Sequence, residues 1–275
     1  MEIDGSGTGR AYCVLAPNPS PMTLDGTNTW IIAEPGSSAV LVVDPGPDDE
    51  GHLRRVLRTA QAGDRRVAQI VLTHGHDDHS GGAVRFAELS GAPVAALDPA
   101  HRLGSEGLAS GAVLTAAGCD LRVVGTPGHS PDSVSLLLAA DGALLTGDTV
   151  LGRGTTVIGQ DGGLGDYLRT LDELRALTDS VGLRTLLPGH GPLLDDPAGV
   201  LDYYIAHRHE RLGQVRAALA AGARTPAEVV EVVYADVDRA VWPAAEVSVR
   251  AQLDYLRANP LPRSLAQSLG VQDED

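Results

Sequence analysis

One short segment constrains this chain more than any other. Thr73-His74-Gly75-His76-Asp77-Asp78-His79-Ser80 packs three imidazoles and two carboxylates directly behind an apolar, strand-like run, Gln69-Ile70-Val71-Leu72-Thr73. Residues two apart on an extended chain face the same side, so His74 and His76 can share one metal ion. Asp78 and His79, past the turn, can address a second ion nearby. Gly75 and the pair Gly81-Gly82 leave room for the backbone to wind around such a site. The fold therefore has to carry this strand end, and further ligands, to one place.

Three later strand ends repeat the theme. Thr126-Pro127-Gly128-His129-Ser130, Thr146-Gly147-Asp148-Thr149 and Pro188-Gly189-His190-Gly191 each close an apolar run with a glycine-led turn that delivers one imidazole or carboxylate. Ligands of open α/β sheets gather beyond the carboxyl ends of the strands. A single Gly-His turn says little; its joint occurrence with the first cluster makes the metal reading specific.

Strand-like runs at 28–33, 39–44, 69–74, 93–97, 120–126, 133–139, 143–148 and 184–190 are separated by helix-length segments at 49–62, 79–90 and 166–178, the last with Asp166 as its expected N-cap. That alternation predicts an α/β fold over residues 1–196. From 197 the strand signal stops. Asp196-Pro197 opens a long helix carrying Leu201, Tyr204, Ile205, Leu212, Val215 and Leu219, which ends at Gly222. Thr225-Pro226-Ala227-Glu228 is a capping box for a short second helix, and a third carries Val249, Leu253 and Leu256 before Asn259-Pro260. Residues 197–275 are thus expected to form a small helical module that packs on the main domain.

Composition narrows the chemistry. With 36 acidic against 21 basic residues the net charge is −15, which disfavours a protein that grips phosphate backbones through many cations. All 21 basic residues are arginine, so a Walker A, Schiff-base or pyridoxal-binding lysine is excluded. Cys13 and Cys119 lie far apart without CxxC spacing, as buried thiols of a reducing compartment do. No signal-peptide pattern opens the chain and no run approaches the roughly 18 apolar residues of a membrane span, so the expectation is a cytoplasmic protein without a membrane partner.

With its histidine-aspartate signature at 74–79 followed by His129, Asp148 and His190, the chain resembles the metallo-β-lactamase-fold hydrolases. The resemblance implies an αββα sandwich with two metal ions at one edge. It assigns His74, His76 and His129 to one ion, Asp78, His79 and His190 to the other, and Asp148 as the bridge between them. Asp44 matches an early strand-end aspartate that supports ligands without binding metal. Nitrogen and carboxylate donors without thiolate suit Zn2+, with Mn2+ or iron as alternatives.

Within that family the chain looks like the branch that holds the lactamase-beta-like endoribonuclease of mitochondria and its bacterial relatives. The likeness runs through Asn18-Pro19, residues 23–29, 147–156 and Tyr204-Ile205-Ala206-His207-Arg208, and implies that the helical module is winged-helix-like. Asn28, Arg153, Thr155, His207 and Arg208 are the candidate substrate contacts. Asp148 matches a bridging aspartate that true β-lactamases of this fold generally lack. The 41 residues between Asp148 and His190 leave no room for the inserted domain of the long RNA-processing nucleases, and no Cys-Gly-Arg glutathione loop follows Asp148.

The constellation suits hydrolysis at an electrophilic carbonyl or phosphorus centre and does not choose between them, with Asp78 and Asp148 orienting the attacking water. The whole-chain likeness narrowly favours cleavage of single-stranded RNA; the acidic charge favours the alternative, hydrolysis of a small thioester, ester or lactone. A non-enzymatic winged-helix regulator is a remote third class. Self-association is left open.

Overall fold

The computed structural model describes residues 2–105, 107–159 and 161–260; the end of the expected tail module, 261–275, lies outside the described residues. Strands β1 (Ala11–Leu15), β2 (Asn28–Ile32), β3 (Ala39–Val43), β4 (Arg66–Val71) and β5 (Val94–Ala95) form one five-stranded sheet in that spatial order. Strands β6 (Val113–Ala116), β7 (Cys119–Gly125), β8 (Val134–Leu138), β9 (Ala143–Gly147) and β10 (Thr185–Pro188) form the second, ordered β10-β9-β8-β7-β6. Both are mixed: β3-β4-β5 and β9-β10 pair parallel, the remaining neighbours antiparallel. The helices are α1 (Glu50–Ala60), α2 (Asp77–Ser80), α3 (Ala83–Ser90), α4 (Leu164–Val181), α5 (Pro197–Ala220), α6 (Pro226–Val233) and α7 (Trp242–Ala258).

The near-continuous apolar runs are explained by burial on both faces of each sheet. Trp30, Ile32, Leu41 and Val43 point inward and meet Leu121, Val123, Leu136, Leu138 and Leu145 between the sheets. Their neighbours Ile31, Val40 and Val42 turn outward onto Leu53 and Val56 of α1 and Phe86 of α3. On the far side Leu137, Leu144 and Leu186 pack against Tyr167, Leu171 and Leu174 of α4 and Leu201 and Tyr204 of α5. Four layers, αββα, result. Truncating a leucine in any of them should cost about 2–5 kcal/mol.

Capping explains the helix starts, with one correction. Asp196 accepts from Gly199 N–H ahead of Pro197, and Thr225 and Glu228 close the expected box. The expected N-cap Asp166 instead lies in the first turn of α4, paired with Arg169, because α4 starts at Leu164 behind Gly163. The Gly163 N–H donates to Gly128 O at 2.9 Å, and this tie to the His129 turn sets where the helix can begin. The long helix α5 serves two cores: Leu201, Tyr204 and Leu212 pack with α4, whereas Val215 and Ala218 pack with Val229 and Val230 of α6 and Val249 and Leu253 of α7. Among the described residues no helix is long and apolar enough to cross a membrane.

Candidate metal centre

The anticipated ligands follow strands of both sheets. His74, His76, Asp78 and His79 come after β4, with Asp78 and His79 on α2; His129 follows β7, Asp148 follows β9 and His190 follows β10. Close approach dictates the glycines that lead these turns. A Cβ on Gly189 would lie 2.6 Å from Asp148 Oδ1 and 2.7 Å from His79 Cε1, so nothing larger can stand there.

Two donor trios form. His76 Nδ1 lies 3.1 Å from His74 Nε2 and 2.9 Å from His129 Nε2. His190 Nε2 lies 3.2 Å from both His79 Nε2 and Asp78 Oδ2. Asp148 reaches toward both: Oδ1 is 3.3 Å from Nε2 of His79 and of His190, and Oδ2 is 3.7 Å from His129 Nε2.

Each imidazole is anchored by its other nitrogen, which turns the remaining nitrogen toward the interior of the cluster, where a metal ion would displace any proton it carries. His79 Nδ1 donates to Asp44 Oδ2 at 2.8 Å and His190 Nδ1 to Gly26 O at 3.1 Å. His129 Nδ1 donates to Val157 O at 2.9 Å, with Thr156 Oγ1 a second acceptor at 3.1 Å. His74 Nδ1 meets Thr73 Oγ1 at 3.0 Å, and that hydroxyl donates onward to Asp44 at 2.7 Å. His76 is reversed: its Nε2 donates to Asp161 Oδ2 at 3.1 Å, which turns Nδ1 inward.

This donor set fits a pair of divalent cations. Five imidazole nitrogens and two carboxylates converge, and Asp148 Oδ1 is buried with no hydrogen-bond partner. The electrostatics agree. Burial disfavours the charged forms, yet the positive ends of His190 and His79 hold the Asp148 carboxyl well below its usual range. Against the same burial, Asp148 and Asp78 push the His190 imidazole up to about 9. Where no carboxylate dominates, burial wins and His74 is held well below its usual value.

The candidate substrate contacts divide. Arg153 is exposed and pairs with Asp25 at 2.6 Å; Thr155, on the same loop, is half-buried. His207 is half-buried and stacks on Tyr203 at 5.9 Å. The structure turns the other two away from any open groove. Asn28 is fully buried, its Nδ2 donating to Pro188 O and Gly191 O on either side of the His190 turn. Arg208 is 4% exposed and donates from Nη2 to Thr156 O. Sequence reasoning missed Asp161, which lies 85 residues from His76 and belongs to no motif, and the anchoring role of Thr156.

Residues 22–190 match the metallo-beta-lactamase superfamily and residues 225–259 the beta-lactamase associated winged helix domain. A beta-lactamase-like protein 2 homolog of Drosophila melanogaster is 33% identical over 273 residues, covering 90% of this chain and 88% of that protein. The atrochrysone carboxyl ACP thioesterase of Aspergillus fumigatus is 34% identical over 245 residues, 82% of this chain and 73% of its own length. A metallo-beta-lactamase family protein from Thermus thermophilus superposes with a TM-score of 0.74 at 25% identity, over 90% of this chain and 93% of that one.

Proposed function

Because the chain belongs to the metallo-β-lactamase superfamily of hydrolases, we propose that it is a dinuclear metal-dependent hydrolase of small acyl thioesters or esters. The observation that carries hydrolysis is the pair of inward-facing trios with Asp148 between them. In this reading His74, His76 and His129 hold one ion, Asp78, His79 and His190 the other, and Asp148 both; the donor set suits Zn2+, with Mn2+ or iron able to replace it. When bound, two such ions supply an activated water at neutral pH and positive charge for the oxyanion that develops at the attacked carbonyl.

The residues of the chain do the rest. Asp148, whose Oδ1 is buried without a hydrogen-bond partner, and Asp78 would orient the attacking water by accepting hydrogen bonds from it. Asp44, Asp161, Gly26 O and Val157 O keep each imidazole from rotating out of place. Arg153 and Thr155, on the loop that leaves Asp148, are the candidates to touch the substrate. A cytoplasmic location belongs to this reading and is supported by the two free, buried thiols.

Between the two substrate classes the sequence left open, acyl compounds are favoured over single-stranded RNA. A net charge of −15 gives a polyanion little to hold, and the similar Aspergillus protein is named a thioesterase. The test is turnover by metal-saturated protein of a panel of acyl thioesters, aryl esters, lactones and single-stranded RNA, each with and without chelator. Chelator-sensitive thioester or ester hydrolysis with inert RNA is expected. RNA cleavage with inert acyl compounds overturns the substrate assignment.

A further inference from the structure

Arg208 of α5 is a buried cation without a carboxylate partner among the described residues. Its Nη2 donates to Thr156 O at 2.6 Å, its guanidinium lies 5.0 Å over the Tyr167 ring, and its Nε is buried with no acceptor. Burying a charge this way costs stability unless something is gained elsewhere. The place where this happens is informative. Thr156 is the residue whose hydroxyl lies 3.1 Å from His129 Nδ1, and the next carbonyl, Val157 O, accepts from the same nitrogen at 2.9 Å.

Arg208 is one grip among three on the loop that runs from Asp148 to these two groups. Tyr167 of α4 donates from its hydroxyl to Thr149 O at 2.7 Å. Tyr204, one turn before Arg208 on α5, accepts from Leu151 N–H at 2.9 Å and donates to Gly154 O at 3.0 Å. The loop is therefore held at its start, middle and end by side chains from two helices, and Arg208 holds the end that touches His129.

We propose that Arg208 is a positioning residue for the metal centre: by fixing the Thr156 carbonyl it keeps Thr156 Oγ1 and Val157 O on His129 Nδ1 and so aims His129 Nε2. It touches neither metal nor substrate. The fork of the guanidinium suits the task because it can donate to a carbonyl while lying flat on an aromatic face, which a lysine ammonium cannot do. The inference rests on the proposed assignment of His129 as a ligand.

The test compares wild type with Arg208→Met, Arg208→Lys and Thr156→Val, and with Val215→Ala, a truncation elsewhere on α5 that touches only the second core. Zinc affinity is read by chelator competition, and amide exchange of residues 149–157 is read in metal-free protein. Arg208→Met should weaken one of two zinc ions about 10- to 100-fold and speed exchange in the loop, with Arg208→Lys intermediate. Thr156→Val should weaken the same ion, and combining it with Arg208→Met should add little further. Val215→Ala should lower Tm without either change. Wild-type zinc affinity and loop exchange in Arg208→Met, or the same losses in Val215→Ala at equal Tm, would overturn the proposal. Should Arg208→Met not fold, Arg208→Lys carries the same comparison. Wild type binding fewer than two ions would instead refute the centre itself, and this inference with it.

Discussion

Asp44 lies directly behind His79, its Oδ2 2.8 Å from the imidazole Nδ1, and holds this position from a left-handed backbone at φ 51°. The same carboxylate accepts the Thr73 N–H at 2.8 Å and the Thr73 hydroxyl at 2.7 Å, so one buried group orders both His79 and the chain entering the His74 motif. Asp44→Asn and Asp44→Ala separate its two tasks. Both should lower metal affinity about 10- to 100-fold, since neither presents a carboxylate to His79. Asparagine tolerates the left-handed conformation better than alanine, so Asp44→Ala should lose about 1 kcal/mol more in denaturant unfolding. Equal stability of the two variants would show that the backbone there is unstrained.

Asp148 lies within 4 Å of candidate ligand nitrogens in both trios. Asp148→Ala should therefore lose both zinc ions and with them hydrolysis, whereas His129→Ala should retain the ion of the other trio. Elemental analysis of dialysed protein distinguishes these outcomes, and equal metal content in both variants would argue against a bridge.

Gly162 carries no side chain because its backbone lies against the His129 turn. A Cβ there would fall 2.3 Å from Gly128 O and 2.6 Å from His129 O. Gly162→Ala must displace the loop that carries Asp161, the partner of His76. A stability loss of about 1–3 kcal/mol is expected, together with weaker metal binding that Asp161→Ala reproduces without the stability loss. Thermal unfolding of metal-free protein checks the first and chelator competition the second.

His52 predicts a pH effect away from the metal centre. Its ring is buried in α1 against Thr29 Oγ1, and burial, aided by Arg55, lowers its pKa from 6.5 to about 4. Below pH 6.5 the unfolded chain takes up this proton while the folded chain does not, so stability falls as pH drops from 6.5 toward 4. The full effect is up to about 3 kcal/mol. Denaturant unfolding of wild type and His52→Gln between pH 7 and 4 should show a shallower decline in the variant; parallel curves would remove His52 from the account.

The candidate metal ligands were legible in the sequence because each sits in a local pattern: the cluster after β4, or a glycine-led turn after an apolar strand. The α/β alternation was legible for the same reason, since β2, β3, β8 and β9 are buried throughout and read as apolar runs, whereas the four-layer arrangement was implied by the family resemblance. Strands β1 and β6 were not anticipated. Both are sheet edges with exposed positions, and β6 alternates exposed and half-buried residues without a strong apolar signal. The anchors of the imidazoles were invisible for another reason: Asp161 and Thr156 act on histidines 85 and 27 residues away, and Gly26 O is a backbone atom that no side-chain pattern can advertise. Arg208 read as a surface contact because nothing in its neighbourhood on the helix says that it faces inward.

Tyr167, Tyr204 and Arg208 grip the loop after Asp148 only by main-chain atoms, at Thr149, Leu151, Gly154 and Thr156. Main-chain anchors are indifferent to which side chains the loop displays. Positions 153 and 155, proposed above as the substrate contacts, can thus be rewritten while the scaffold around them stays in place, and a library confined to those two positions is the smallest change that tests whether they set substrate preference.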